Sequence, residues 1–453
     1  MFKKKNGFFL LIIFLFIFAG SFSLLFFHER QAEMASYINV TNKQQFIDND
    51  TLKLTGNTDA KKVRISIDYD YQEKIRVKDG KFSYDLDISS YDKGWHYIEV
   101  YSDPKLAPYQ TGEGIWINKL ENQPSVVVPN ELVQKARNSS KELYIDYRNK
   151  IIENYTWNGN YFNESVYAYR DVPFDEAGIP LYEWENEDGE KELAYHPVRT
   201  AQYALGAYNQ YLEDSSAGSK EIFLKQAEWL IENQEKNGSF KYPFSFSYAG
   251  RSDMTMEAGW TSAMAQGQIM SVFARAYGLT NEEKYIAAGN AAFEYMLIET
   301  ERGGVKATLA DLAEGTAELE KYKDYIIFEE YTVKPESYVL NGTLFAMIGL
   351  YDWSQVTDSV TKEKVTAAFN MEIKTLEIIL PYYDYNGYSS YDLLPYTSDY
   401  EPVLTSIYAH TAHIYLLDAL CQITDNRKIY QYCELFKEYT DNEFYHQTEQ
   451  LLQ

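Results

Sequence analysis

The sequence predicts an α+β multidomain chain: a small antiparallel β-sandwich of immunoglobulin-like type over residues 36–120, then an α/α barrel, a partial toroid of helical hairpins, over residues 128–453. Three observations predict it. Apolar residues alternate with period two up to about residue 120 and recur with helical period beyond it. The helical segments come in pairs separated by Gly, Asn, Asp or Pro. A chain of 453 residues that is 45% hydrophobic and 24% charged is also long and apolar enough for two or three packed domains.

The N-terminus carries Lys3, Lys4 and Lys5 and then an apolar run from Gly7 to Phe27. A stretch of roughly 20 apolar residues can cross a bilayer. The small residues Ala19, Gly20, Ser21 and Ser23 are followed by more apolar residues, so residues 1–30 read as an uncleaved signal anchor rather than a cleaved secretory peptide. The positive flank stays inside, which sets the rest of the chain outside the cytoplasm, membrane-anchored, or secreted if the segment is cleaved.

Strand signals follow in order. Leu52 and Leu54 alternate, as do Val63, Ile65 and Ile67. Ile75 and Val77 lead through an Asp79-Gly80 turn into Phe82, Tyr84, Leu86 and Ile88, an Asp-Gly hairpin signal. Runs at 95–101 and 114–117 complete six or so strands, with no His, Cys or Ser cluster among them, so the module reads as a spacer or docking domain. Gln123-Pro124 opens a linker, and a first helix is expected over 131–153. The helical pairs are then 197–212 with 219–234, 260–277 with 281–298, 335–353 with 362–380, and 410–424 with 428–440. Ala263, Ala265, Gly267 and Ser271 are small enough for an inner helix, and the irregular loops between hairpins are where chemistry is expected.

Composition narrows the function. Lys and Arg total 42 against 67 Asp and Glu, a net charge of −25, the opposite of the field a general nucleic-acid binder carries. Tyr numbers 42 against 24 Phe and 7 Trp, an excess of phenol that suits sugar-lined clefts. Two cysteines, Cys421 and Cys433, exclude a disulfide scaffold and a Cys-rich zinc module and read as two buried thiols. Glycine-rich phosphate loops, G-x-S-x-G elbows and dinucleotide fingerprints are absent.

Three segments cluster ionisable groups. Glu329-Glu330-Tyr331 runs through Lys334-Pro335 to Asn341-Gly342, and two adjacent carboxylates that share a site raise each other's pKa, leaving a poised base. Tyr382, Tyr383, Tyr385, Tyr388 and Tyr391 crowd a loop around Gly387, suited to stacking on pyranose faces or to packing between hairpins. His410 and His413 lie three apart without the Glu of a zinc helix, so no metal and no cofactor is expected there. The acidic run 183–192 reads as a solvated turn around Gly189 rather than a calcium loop.

These residues carry a resemblance. Ala201-Gln202-Tyr203, Glu257-Ala258-Gly259-Trp260, Ser262-Ala263-Met264-Ala265-Gln266-Gly267-Gln268, Gly304-Val305-Lys306-Ala307, Glu329-Glu330-Tyr331, Val339-Leu340-Asn341-Gly342, Tyr391-Asp392-Leu393 and His410-Thr411-Ala412-His413-Ile414 follow the order of the C-terminal domain of the D-glucuronyl C5-epimerases. The chain resembles that family over roughly residues 178–440. The resemblance implies a helical barrel and conversion of glucuronate to iduronate in an acidic polysaccharide such as heparosan, and it implies a homodimer. It implies Glu330, Tyr331 and Tyr391 as catalytic and Asn341 as a substrate contact. Two positions depart from the family pattern: Leu394 stands where the family has arginine, and Ala409 where it has a catalytic tyrosine, with Tyr408 one residue earlier as the expected substitute.

Epimerisation at C5 takes a proton from one ring face and returns one to the other, through an enolate of the carboxylate. Glu330 would be one group and Tyr408 or Tyr391 the other. The second negative charge needs neutralising, and Arg199, Arg251, Lys306 and Lys334 are the candidate cations, with His410 and His413 further substrate contacts. The same carbanion serves polysaccharide lyases, and an anchored glycan-binding protein without catalysis is a third reading.

Overall fold

The structure, a computed structural model, describes residues 37–41, 46–47, 50–68, 70–91, 94–102, 112–119, 147–186, 189–384, 389–398, 407–424 and 426–452. The expected membrane segment and most of the expected helix over 131–153 lie outside them. Among the described residues no helix is long and apolar enough to cross a membrane. The chain divides into two compact units, Met1–Ser125 and Val126–Gln453.

Eight strands are described in the first unit: β1 Ile38–Val40, β2 Phe46–Ile47, β3 Thr51–Thr58, β4 Lys62–Ile67, β5 Asp70–Arg76, β6 Lys81–Asp87, β7 Gly94–Ser102 and β8 Gly112–Lys119. They form one sheet of order β1-β3-β6 and another of order β2-β8-β7-β4-β5. All pairings are antiparallel except β2 with β8, which is parallel. Period-two alternation turns Leu52 and Leu54, Val63 and Ile65, Leu86 and Val100 into one core shared by both sheets. Each such side chain contributes about 1.5–3 kcal/mol. Asp79 and Gly80 adopt φ of 52° and 74°, and Lys78 and Lys81 exchange backbone hydrogen bonds of 2.9 Å across them. The hairpin ends there: β5 goes on to pair with β4 and β6 with β3, so the Asp-Gly turn carries the chain from one sheet to the other.

Eight long helices are described in the second unit: α1 Pro197–Asp214, α2 Ala217–Glu232, α3 Ala263–Thr280, α4 Glu283–Met296, α5 Leu340–Ser354, α6 Ser359–Ile379, α7 Ile407–Thr424 and α8 Arg427–Leu452. Each odd-numbered helix packs on its even-numbered successor. The odd helices also pack on one another, α1 on α3, α3 on α5 and α5 on α7. Two of them are covered on all sides: every residue from Ala263 to Ala276 of α3 is buried, and so is every residue of α5 except Tyr351. Backbones must meet closely for this. A Cβ on Gly349 of α5 would fall 2.1 Å from the carbonyl oxygen of Gly267 on α3. Toward their C-termini the same two helices share a buried ion pair, Arg275 to Asp352 at 2.7 Å, with the Tyr155 hydroxyl donating to Asp352 at 3.0 Å.

Short strands precede α1 and lie between later helices. β9 Leu181–Glu185 and β10 Lys191–Tyr195 form a hairpin, so the acidic run turns at Gly189 inside regular structure that its composition concealed. β11 Phe246–Ser247 pairs with β12 Thr255–Met256, and β13 Lys306–Thr308 with β14 Ile326–Phe328. Two helical expectations need correcting. The described end of the 131–153 segment is a single 3₁₀ turn, Tyr147–Lys150. The helix expected from residue 335 begins at Leu340, because Tyr338 holds a φ of 52° that no helix contains. Cys421 and Cys433, on α7 and α8, are free thiols; Cys433 is buried as expected, but Cys421 is only half-buried.

Candidate active site

Strand β14 delivers the chain to Glu329 and Glu330. Its position is held from three sides: the Phe328 N–H donates to Glu372 Oε1 at 3.1 Å, Thr343 Oγ1 donates to the Phe328 carbonyl at 3.2 Å, and the Glu329 N–H donates to the Val305 carbonyl at 2.8 Å. Continuing the strand alternation sends the two carboxylates to different partners. Glu329 accepts from Ser337 Oγ at 2.9 Å and from the Tyr338 N–H at 3.1 Å, and so fixes the turn ahead of α5. Glu330 lies against the first turn of α5, where Asn341 Nδ2 donates to its Oε2 at 3.4 Å. Gly342 makes the room: a Cβ there would sit 2.3 Å from the Glu330 Cβ.

The expected cause of Glu330's poise is therefore different. Burial pushes its carboxyl up to about 7, opposed by a hydrogen bond from Tyr331, and the neighbouring Glu329 takes no part. Glu329 is also raised, first by burial and then by Glu336. Tyr331 and Tyr391, both half-buried, interact with each other and with Glu330. Burial and then the Glu330 charge push both phenols well above their ordinary range, which keeps them protonated. They can donate a proton or a hydrogen bond; they are not bases.

Tyr391 is fixed through its neighbours. The Leu340 N–H donates to the Tyr391 carbonyl at 3.0 Å and the Leu393 N–H to the Ser337 carbonyl at 3.1 Å. Asp392 accepts from the Tyr248 hydroxyl at 2.5 Å, and the Tyr248 ring lies 5.0 Å from that of Tyr331. Burial raises Asp392 to about 7, opposed by the Tyr248 bond. Tyr248 is missed in the sequence, where it is one more phenol in an aromatic run. Leu394, the position of the missing arginine, is buried with Val333, Val339 and Met254 in an apolar cluster against which Tyr331 and Tyr391 pack.

The remaining expected site residues are distributed unevenly. Lys334 pairs with Glu301 at 2.9 Å and Glu336 at 2.5 Å, Lys306 with Glu299 at 3.6 Å and Arg251 with Asp253 at 3.4 Å. Arg199, in the first turn of α1, makes no ion pair among the described residues; its guanidinium lies 4.9 Å from the centre of the Tyr182 ring. His410 and His413 are buried, with Nδ1 atoms 2.6 and 2.8 Å from the hydroxyl of Ser389, and His410 Nε2 donates to the Phe436 carbonyl at 3.1 Å. Burial holds His410 down at about 4, and burial and then His410 hold His413 well below the usual imidazole range, so both stay neutral, and the contacts they make here are structural. Tyr408 belongs to α7, and its side chain lies outside the described residues. Tyr382 and Tyr383 are buried, Tyr383 donating to the Tyr338 carbonyl at 2.6 Å, so these two are packing residues; Tyr385 and Tyr388 lie outside the described residues.

Aromatic rings instead line up elsewhere. Tyr182 and Trp184 of β9 approach Phe244 at 5.4 and 5.5 Å, Phe244 approaches Trp260 at 6.4 Å, and Trp260 approaches Tyr331 at 6.0 Å. Trp260 stacks on Tyr242 at 3.7 Å.

With this geometry in hand, residues 234–438 match the family model described as the D-glucuronyl C5-epimerase C-terminus. A D-glucuronyl C5-epimerase of Caenorhabditis elegans is 33% identical over 204 residues, 43% of this chain and 31% of that protein. An uncharacterised protein of Methanocaldococcus jannaschii is 27% identical over 198 residues, 40% of this chain and 59% of that protein. The match thus spans less than a third of the worm enzyme's length. Among solved structures, a polysaccharide lyase aligns at 11% identity with a TM-score of 0.32, covering 90% of this chain and 48% of that one. A family 76 glycoside hydrolase from a bovine Bacteroides thetaiotaomicron strain aligns at 10% identity with a TM-score of 0.37, covering 87% and 100%. Structural likeness at that level carries no weight for fold or chemistry. The sequence match, with Glu330, Tyr331, Asn341 and Tyr391 inside it, makes residues 234–438 of this chain similar to the C-terminus of the D-glucuronyl C5-epimerases.

Proposed function

We propose that this protein is a uronyl C5-epimerase acting on a glucuronate-containing polysaccharide. The observation that carries the reading is Glu330: a buried carboxyl held near 7, hydrogen-bonded to Asn341 and next to two phenols that stay protonated, inside the segment that matches the family. At neutral pH part of it is ionised and can take the C5 proton, while the bonding electrons move into the sugar carboxylate as an enolate. Tyr331 and the Asn341 amide are donors for the enolate oxygens. Leu340 opens α5, and the first N–H of α3, Ala263, donates to the Glu329 carbonyl at 2.9 Å, so two helix N-termini add partial positive charge at this end. A neutral phenol on the opposite ring face, Tyr391 or Tyr408, returns a proton to C5.

The architecture that goes with this reading is an immunoglobulin-like sandwich acting as spacer and an α/α toroid whose inner helices are α1, α3, α5 and α7. An N-terminal helix anchors the chain with the site outside the cytoplasm, and the chain assembles as a homodimer. The reading is tested by incubating the full chain with heparosan and analysing the product by NMR and ultraviolet absorbance. Iduronate signals without chain cleavage are expected; an unsaturated uronate absorbing in the ultraviolet would make the chain a lyase, and unaltered polymer would leave binding without catalysis.

A further inference from the structure

We propose that Arg199, Tyr182 and Trp184 form a subsite for an acidic sugar of the glycan chain that flanks the reacting residue. The proposal rests on the reading of the chain as a glycan-acting protein, and goes beyond it by placing a second contact away from Glu330.

Strand alternation in β9 puts Tyr182 and Trp184 on one face while Glu183 and Glu185 point to solvent on the other. Both aromatic rings are half-buried, each against Phe244, so they are rigid and keep part of their surface open. Rigid, half-open rings of this kind bind the apolar face of a pyranose with little entropy to lose. Arg199 supplies the charge. Of the four candidate cations it alone makes no ion pair among the described residues, and it lies over the Tyr182 ring at 4.9 Å. A guanidinium offers up to five N–H donors in a planar fork that matches a carboxylate. The uncompensated charge is felt locally: burial first and Arg199 second hold His196, the residue that caps α1, down at about 3.

Position argues for a flanking sugar rather than the reacting one. From Tyr182 to Tyr331 the path runs through Phe244 and Trp260 in three ring contacts of 5.4, 6.4 and 6.0 Å. A row of packed rings, with Phe244 buried in its middle, thus links the half-open rings beside the cation to Tyr331 next to Glu330, and a linear polymer spanning the two ends would present one uronate to each. This also gives a protein of net charge −25 a local positive contact for a polyanion.

Calorimetry on the full chain in detergent, with a tetrasaccharide and an octasaccharide containing glucuronate, reads this without turnover. The octasaccharide should bind more tightly than the tetrasaccharide. Trp184→Ala and Arg199→Gln should each weaken the octasaccharide roughly tenfold, the order expected of a stacking or cation contact freed of competing partners, with the tetrasaccharide little changed. Reducing the octasaccharide carboxylates to alcohols should weaken binding to the wild-type chain more than to Arg199→Gln, a comparison that holds however well the tryptophan variant folds. Octasaccharide affinity indifferent to both substitutions, equal losses for both lengths, or no binding at all would overturn the subsite. A chain that binds in the expected pattern but leaves C5 unexchanged removes the epimerase reading and keeps the subsite. One that exchanges C5 while ignoring length does the reverse.

Discussion

Glu330 is placed by small things: a glycine where it needs room, an amide where it needs a partner, and apolar neighbours that exclude water. Because burial raises its pKa to about 7, proton abstraction should switch on as pH rises through that value. The same shift has a stability side. The folded state holds a proton that the unfolded chain gives up near 4.5, so stability is greatest below about 4.5, falls as pH rises toward 7, and is flat above it. Removing the titration with Glu330→Gln should flatten that fall and make the variant more stable than wild type at pH 8, by up to about 3 kcal/mol. Urea unfolding at pH 5 and pH 8 checks it, and equal slopes in the two proteins would contradict it. Gly342→Ala puts a Cβ 2.3 Å from that of Glu330 and must displace it; a displacement near an ångström costs on the order of 10²-fold in kcat, read by steady-state turnover. Tyr248→Phe leaves Asp392 buried without its 2.5 Å donor and should cost about 1–3 kcal/mol in chemical unfolding.

At the scale of elements, the inner layer depends on α3 and α5 touching through backbone. Gly349→Ala should lower stability by about 1–3 kcal/mol despite the better helix former, because its Cβ meets the Gly267 carbonyl at 2.1 Å. A calorimetric Tm equal to wild type would show that the two helices can part without cost. Here the limits of the sequence are also visible. Close packing of α3 was legible, since Ala263, Ala265, Gly267 and Ser271 leave room for another backbone. The Asp79-Gly80 turn was legible as a turn but not as a crossing between sheets, because pairing of β5 and β6 is decided by cores formed far along the chain. The start of α5 was misplaced since apolar period alone does not register that Glu329 captures the Tyr338 N–H. Motif order singled out Glu330 and Tyr391, and the fold brings the two together. Tyr248 and the packed rings from Trp184 to Trp260 were not legible, because their partners lie on other loops and 42 tyrosines hide the few that matter.

For the whole molecule, charge is the governing quantity. A chain of net charge −25 would repel a uronate polymer at long range, so under the proposed function attraction would come from short-range stacking and from Arg199. Raising ionic strength from about 0.01 M to about 0.15 M shortens the screening length from about 30 Å to about 8 Å and should tighten polymer binding, the reverse of a basic polyanion binder. A monotonic loss of affinity with salt would place an unrecognised positive surface on the protein. The central claim is that Glu330 exchanges a proton with C5 of a uronate, and deuterium incorporation tests it most directly. With heparosan in D2O, the wild-type chain should place deuterium at C5 with a rate that climbs through about pH 7, and Glu330→Gln should place none while keeping its helical content. Incorporation by Glu330→Gln at the wild-type rate would contradict the account.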